Sequence, residues 1–353
     1  MKKLQYSVYK RESGSAGGKA KNDAFDILLE CGFQPSYHPS GKRVIRVLQQ
    51  LLSLKKIDKD TLLVIQYPAI SPKMMGRLIK RIAKTKCKTA ALIHDLPSIQ
   101  GMGGEVVNEI KTLNNFDYLI VHNAKMERFI VERGYIGKVV RLDLFDYLHD
   151  ELRPVTQNPY SGTIAVAGNL DKAPYICDLG IVDNYRFNLY GINKTLNLDG
   201  IKNADYKGCL PSDEIPYILD ADYGLVWDGD SLDTCSGTYG KYLLYNNPHK
   251  LSLYIAACKP VIVWGKSAIA DFVLKNDIGI AVESLTDLKN IDLHDNYDVF
   301  KNNVAALKKK IAHGYYLKAA IEKITDDIKG NKNEIRLSYS RQRLIRRGVR
   351  TRT

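Results

Sequence analysis

The feature that most constrains the fold is an alternation that runs twice along the chain. Short apolar runs, such as residues 62–65 and 261–264, alternate with longer segments of helical spacing. A strand that is apolar on both faces must be covered on both faces, so such runs belong to parallel sheets flanked by helices. In the first half, residues 4–9, 34–38, 61–67, 89–94, 118–122 and 139–144 read as strands. Residues 22–31, 42–54, 72–85, 105–113 and 124–133 read as helices, and the one at 72–85 is basic and amphipathic. Residues 149–160 are polar and carry Pro154 and Pro159, a linker signature. The alternation restarts with strands at 163–167, 186–190, 223–227, 260–264 and 278–282, an extended segment at 204–210, and helical spacing from 297 to 328. The expected fold is α/β: two Rossmann-like, doubly wound domains facing a cleft. They would cover residues 1–150 and 151–330, with the last helices able to return to the first domain. A basic tail, 331–353, follows.

Size and charge narrow the function. A chain of 353 residues is too long for one ordinary core. No apolar run approaches the ~20 residues that span a bilayer. The start, MKKLQYSVYK, lacks the long apolar region of a secretory signal, so a cytoplasmic protein is expected. The six cysteines are widely and irregularly spaced, which argues against a disulfide framework or a zinc site. Net charge is +13, and residues 332–353 hold eight basic residues against one acidic one. Such a tail suits an anionic partner, either phospholipid headgroups or nucleic acid. Elsewhere basic residues mix with acids and no aromatic-plus-basic motif appears, which disfavours nucleic acid. The tail reads either as an amphipathic segment on an anionic membrane or as a solvated end. A homo-oligomer is compatible with the sequence, which does not specify one.

In open parallel sheets, ligands bind beyond the carboxyl ends of the strands, so the loops there carry the chemistry. The first such loop is glycine-rich, with Ser15, Gly17 and Gly18 in GSAGGKA. Its spacing is not G-x-G-x-x-G and no GKS or GKT follows, so a dinucleotide or triphosphate site is disfavoured. A loop on the acceptor or sugar side of a cleft fits, as does a plain surface loop. His94 and Asp95 follow an apolar strand; either could take a proton from an acceptor hydroxyl. Asp95 could equally cap the turn before Pro97. His122, at the next strand end, reads as structural. Gly168 and Asn169 lie where a first strand of the second half would touch phosphate or donor. Asp228 and Asp230 form a D-x-D string that could meet sugar hydroxyls or a metal; a solvated turn is the plainer reading.

Residues 246–265, NNPHKLSLYIAACKPVIVWG, carry the strongest signal. Pro248, His249 and Lys250 open a short apolar helix that includes Leu251 and Ser252. A helix N-terminus attracts anions, because its first amides lack partners and the dipole adds positive charge. Lys250 and Ser252 in that turn would suit a diphosphate.

These residues resemble a known family. YKGCLPSDEIPYILDADYGLVW, HKLSLYIAACKPVIV and KNDIGIAV are similar to the nucleotide-sugar domain of GT-B glycosyltransferases, over most of 160–290. SGSAGGKAKNDAFDILLECGF and LIHDLPS resemble, more narrowly, a bacterial group of galactofuranosyltransferase-like enzymes and adhesin-glycan glucosyltransferases. The resemblance implies UDP on the C-terminal domain and an acceptor entering from the N-terminal one. It makes Lys250 and Ser252 diphosphate contacts, places Gly168 and Asn169 near the donor, and rests the base against backbone at Leu210. Gly14 to Gly18 would shape the acceptor side. Many retaining GT-B enzymes carry two glutamates eight positions apart before a G-x-P-V-like turn. Aligned on Pro260, those positions are Tyr245 and Leu253, and Cys258 replaces the glycine. The missing carboxylates favour inversion, with Asp95 as base. The expectation is an inverting hexosyltransferase that uses a UDP-sugar and no metal. It would act on a lipid-linked oligosaccharide in surface-glycan synthesis, peripheral to the inner membrane face. A nucleotide-sugar epimerase and a basic nucleic-acid-binding protein are the alternatives.

Overall fold

A computed structural model describes residues 1–6, 16–36, 57–69, 72–330 and 336–337. Ser15, the expected helix at 42–54 and nearly all of the tail lie outside the described residues. The chain divides into two compact units: residues 1–12, 21–143 and 316–353 form the first, and residues 13–20 and 144–315 the second.

The first unit is built on β1 (Lys2–Tyr6), β2 (Gln34–Pro35), β3 (Thr61–Tyr67), β4 (Lys88–Ile93), β5 (Tyr118–Val121) and β6 (Lys138–Arg141). The strands lie in the order β6-β5-β4-β3-β1-β2, all parallel, and a strand at Arg336–Leu337 joins β6 antiparallel. Every residue of β3 is buried, including the polar Thr61 and Gln66 that flank its apolar run at 62–65, as a strand covered on both faces requires. Covering helices are α1 (Ala16–Glu30), α2 (Pro72–Ala83), α3 (Val106–Leu113) and α4 (Ala124–Glu132). The helix at Tyr315–Ile328 brings Asp327 to the Tyr118 hydroxyl (2.6 Å) and to Lys138 Nζ (2.5 Å), which ties residues 316 onward to this sheet.

The second unit contains β7 (Thr163–Asn169), β8 (Arg186–Ile192), β9 (Ala204–Tyr206), β10 (Tyr223–Val226), β11 (Val261–Trp264) and β12 (Gly279–Val282). Its helices are α5 (Ile215–Ile218), α6 (Gly237–Tyr242), α7 (His249–Ala256), α8 (Ala270–Lys275) and α9 (Tyr297–Ala312). The parallel order is β12-β11-β10-β7-β8-β9. Relabelled from its own first strand this is 6-5-4-1-2-3, the order of dinucleotide-binding sheets. The core gathers Tyr175, Phe187, Tyr223, Leu225, Trp227 and Trp264.

Three expectations shift. The contact boundary falls at 143/144, before the proline-bearing stretch rather than at 150. The helix expected to start at residue 22 starts at Ala16, so Gly17 and Gly18 are helical rather than loop, and residues 13–20 group with the second unit. Glycine is a poor helix former, but burial of Gly18 shows why a side chain would be unwelcome there. Of the expected strand at 34–38, residues 37 and 38 lie outside the described residues, and Gln34–Pro35 form the strand before Ser36. Among the described residues no helix is long and apolar enough to cross a membrane.

Candidate active site

In a sheet of this order, ligands bind where the strand order reverses, beyond the carboxyl ends. In the second unit that point lies between β7 and β10. Tyr254 of α7 fixes it. Its hydroxyl accepts from the Ala167 amide (2.8 Å) and lies 3.1 Å from both the Ala165 and Leu225 carbonyls, so one group spans β7 and β10. The ring lies against Gly224, where a Cβ would come within 2.1 Å of it. A glycine in β10 and a tyrosine in α7 therefore set how closely the helix approaches the sheet.

That packing carries the first turn of α7 to the strand ends. Lys250 Nζ lies 2.8 Å from Asp228 Oδ1 and donates to the Trp227 carbonyl (3.1 Å). Both side chains are mostly buried, at 16% and 21% exposure, so the pair is more than a surface contact. Asp228 thus partners Lys250. Asp230 instead accepts from the Ser236 hydroxyl. Among the described residues no three His, Cys, Asp or Glu side chains gather as a metal site.

Other first-turn residues serve the scaffold. Ser252, expected on a diphosphate, is fully buried and its hydroxyl donates to the Phe145 carbonyl (2.6 Å). Its side chain is committed to packing 144–149 onto α7, so only Lys250 of that pair presents its polar group. Leu251 is fully buried too and can offer a ligand only backbone. The His249 ring stacks on Tyr147 at 5.0 Å. Burial, then the Lys19 charge, push its pKa down to about 3, so the imidazole is neutral at ordinary pH. Its Nε2 is buried with no hydrogen-bond partner among the described residues. Gly168 and Asn169 are exposed at the end of β7, where the Asn169 side chain caps the next turn by accepting from the Asp171 amide (3.1 Å). Leu210 is half-buried, four residues past β9.

Lys19 is a residue that sequence reasoning missed. It is 6% exposed, donates to the Leu148 carbonyl (2.6 Å), pairs with Asp213 (2.9 Å) and sits 4.9 Å from the Tyr147 ring centre. A buried lysine needs such partners. Its place directly after Gly17 and Gly18 was the available signal.

In the first unit, His94 and Asp95 follow β4. His94 is buried, with Nε2 2.9 Å from the Gln66 Oε1 atom. Asp95 is half-buried and accepts from Gln100 (2.7 Å). The Asp95 charge also acts on Lys21, partly offsetting the burial that lowers that lysine's pKa. Glu109 is buried and accepts from the Tyr67 hydroxyl (2.8 Å) and the Ser98 amide (3.0 Å). It fixes the loop after Asp95. His122 is buried and its Nε2 donates to the Ile93 carbonyl (3.0 Å); burial lowers its pKa to about 4.

Comparison with known proteins gives this arrangement a family. Residues 6–144 match the Glucosyltransferase 3-like N-terminal domain and residues 164–324 the corresponding C-terminal domain. The chain is 30% identical over 332 residues to the Escherichia coli K12 beta-1,6-galactofuranosyltransferase WbbI, covering 89% of this chain and 96% of that one. It is 20% identical, with the same coverages, to Glucosyltransferase 3 of Streptococcus gordonii. AviGT4, a glycosyltransferase involved in avilamycin A biosynthesis, shares the fold at TM-score 0.53 and 11% identity, over 94% of this chain and 99% of that one. The chain belongs to the Glucosyltransferase 3-like family, and it is a glycosyltransferase of the two-domain GT-B fold.

Proposed function

We propose that the protein transfers a hexose (galactofuranose, galactose or glucose) from a UDP-sugar to a glycan acceptor, with inversion and without a metal. The observation that carries this reading is Lys250, held by Asp228 and the Trp227 carbonyl at the first turn of α7, beyond the switch point of the second sheet. An ammonium and helix amides in that place suit a diphosphate. The buried, unpartnered His249 Nε2 adds a polar atom whose desolvation a bound ligand would offset.

In the reaction, an acceptor hydroxyl oxygen attacks C1 of the sugar from the face opposite UDP. The bond from C1 to the diphosphate oxygen breaks as the new one forms, and UDP leaves with the electron pair. Lys250 and the α7 amides stabilise the charge that grows on the leaving phosphate. Asp95 takes the acceptor proton. Leu253 and Tyr245 stand where retaining relatives of this fold carry carboxylates, which favours inversion. Gly168, Asn169 and Leu210 line the donor. Gly17 and Gly18 face the acceptor. We place the enzyme in the cytoplasm, at the inner membrane face, with a lipid-linked acceptor met partly through the basic tail.

A screen of UDP-sugars, with the anomeric configuration of the product determined by NMR, tests the reading. One UDP-hexose should be turned over with inverted configuration. A retained configuration, or absence of UDP binding by calorimetry, would sink it.

A further inference from the structure

The basic helix α2 has an outer face that the transfer chemistry leaves unused. Between Thr61 and His94 the chain has seven basic residues and no acidic one. On α2 the charges are arranged by helical spacing. Met75, Leu78, Ile79 and Ile82 are buried at i, i+3, i+4 and i+7. Arg77, Lys80, Arg81 and Lys84 follow the same spacing and are all exposed, with Lys86 exposed just beyond. Along the axis the stripe from Arg77 to Lys84 is about 10 Å long.

Of Arg77, Lys80, Arg81, Lys84, Lys86 and Lys88, only Lys88, at the start of β4, has an acidic partner among the described residues: Asp117, at 3.1 Å. The acids of neighbouring α3 point elsewhere: Glu109 is buried on Tyr67 and Ser98, and Glu105 accepts from Asn108. Like charges three and four residues apart weaken a helix. The helix dipole accounts for basic residues in the last turn, Lys80 and Arg81, but not for Arg77 or for the complete absence of acids. An ordinary solvated face interleaves both signs.

We propose that this face of α2 docks the protein on anionic phospholipid. Three cations on one side of a helix whose other side is already packed, continued by Lys84 in the turn just beyond it, present a row of charge that matches a plane of headgroup phosphates. The stripe contains no aromatic side chain on which bases could stack, and its helix is not free to enter a groove, so nucleic acid fits less well. This inference rests on the proposed place at the inner membrane face and deepens it, while it is independent of the donor reading and of the tail.

The test uses the full chain and vesicle co-sedimentation. One set of vesicles is equimolar phosphatidylglycerol and phosphatidylcholine, the other phosphatidylcholine alone. Arg77→Gln, Lys80→Gln, Arg81→Gln and Lys84→Gln are combined in one variant; glutamine matches lysine and arginine in helix preference, so the fold is kept. A second variant neutralises Arg341, Arg343, Arg346 and Arg347 in the same way, and a third carries both sets. Each cation near an anionic leaflet contributes about fivefold to partitioning. The α2 variant should bind anionic vesicles at least about tenfold more weakly than the wild type. The same loss should appear when the α2 changes are added to the tail variant. Binding should also fall as salt rises. Unchanged binding by the α2 variant, or equal wild-type binding to both vesicle types, overturns the proposal. So does a poly-dT oligonucleotide that binds through the α2 charges more tightly than the anionic vesicles do. Transfer to a soluble acceptor should be the same in the wild type and the α2 variant, which separates a docking failure from a failure of the donor reading.

Discussion

The two strand-end clusters differ in how they handle charge. In the second unit, Lys250 is met by a carboxylate and a carbonyl, and around it Tyr254 and Ser252 are buried and hold α7 in place, with the half-buried His249 stacked on Tyr147. In the first unit, Asp95 is met by a neutral amide, and its neighbour His94 is tied to another amide, Gln66. One cluster is a rigid cradle with its charge already balanced. The other holds a half-buried carboxylate that accepts from Gln100 and whose charge also acts on Lys21. The first arrangement suits the proposed diphosphate contact, fixed before the reaction, and the second the proposed proton acceptor.

That contrast can be broken from either side. The largest effect is expected for Asp95→Asn, which keeps the shape and the Gln100 contact but removes the proposed base. Its kcat should fall by about 10²- to 10⁴-fold while calorimetric UDP affinity stays at the wild-type value. Undiminished transfer would remove Asp95 from the mechanism. Next is Gly224→Ala, which would set a methyl group 2.1 Å from a Tyr254 ring atom. Urea unfolding should show a loss of about 3 kcal/mol, with UDP binding weakened because α7 is displaced. Lys250→Ala should leave the fold intact and weaken UDP binding by about 10- to 100-fold, equivalent to one or two charge-assisted hydrogen bonds. Equal affinity would mean that the cradle works without its cation.

The smallest effect sharpens the comparison through pH. His249 has a folded pKa of about 3, below its ordinary 6.5, because burial and Lys19 oppose its charge. Below 6.5 the unfolded chain takes up a proton that the folded chain refuses. The stabilisation is therefore full above 6.5 and is lost as pH falls toward 3. Its slope is up to about 1.4 kcal/mol per pH unit. His249→Gln should flatten that slope in unfolding experiments between pH 6.5 and 4. Because the ring stays neutral above this range, the pH dependence of transfer near neutrality should be unchanged.

Much of this was legible in the sequence because it rests on local pattern. The apolar run at 61–67 could only be a doubly covered strand, and Pro248-His249-Lys250 before a small apolar helix marked a helix N-terminus. What escaped rests on contacts distant in sequence. Ser252 read as a polar residue of an anion-binding turn until the Phe145 carbonyl, 107 positions away, turned out to hold its hydroxyl. Nor does the sequence mark Glu109, whose carboxylate accepts from Tyr67 and Ser98, 42 and 11 positions away. Gly17 and Gly18 looked like a loop because glycine's intrinsic preference opposes a helix; their tertiary setting outweighed it.

The sequence by itself determined the two parallel α/β sheets and the helix start at His249, where an anion is proposed to bind. Hydrophobic periodicity and helix-terminal chemistry are properties of a few neighbouring residues. Only the tertiary structure decided which polar groups remain available. Lys250 is shared with Asp228, Ser252 is buried, Lys19 is drawn into the second unit, and the cations of α2 share one face that carries no acid. A polar side chain's role depends on whether a partner satisfies it, and the partner's distance along the chain carries no local signal.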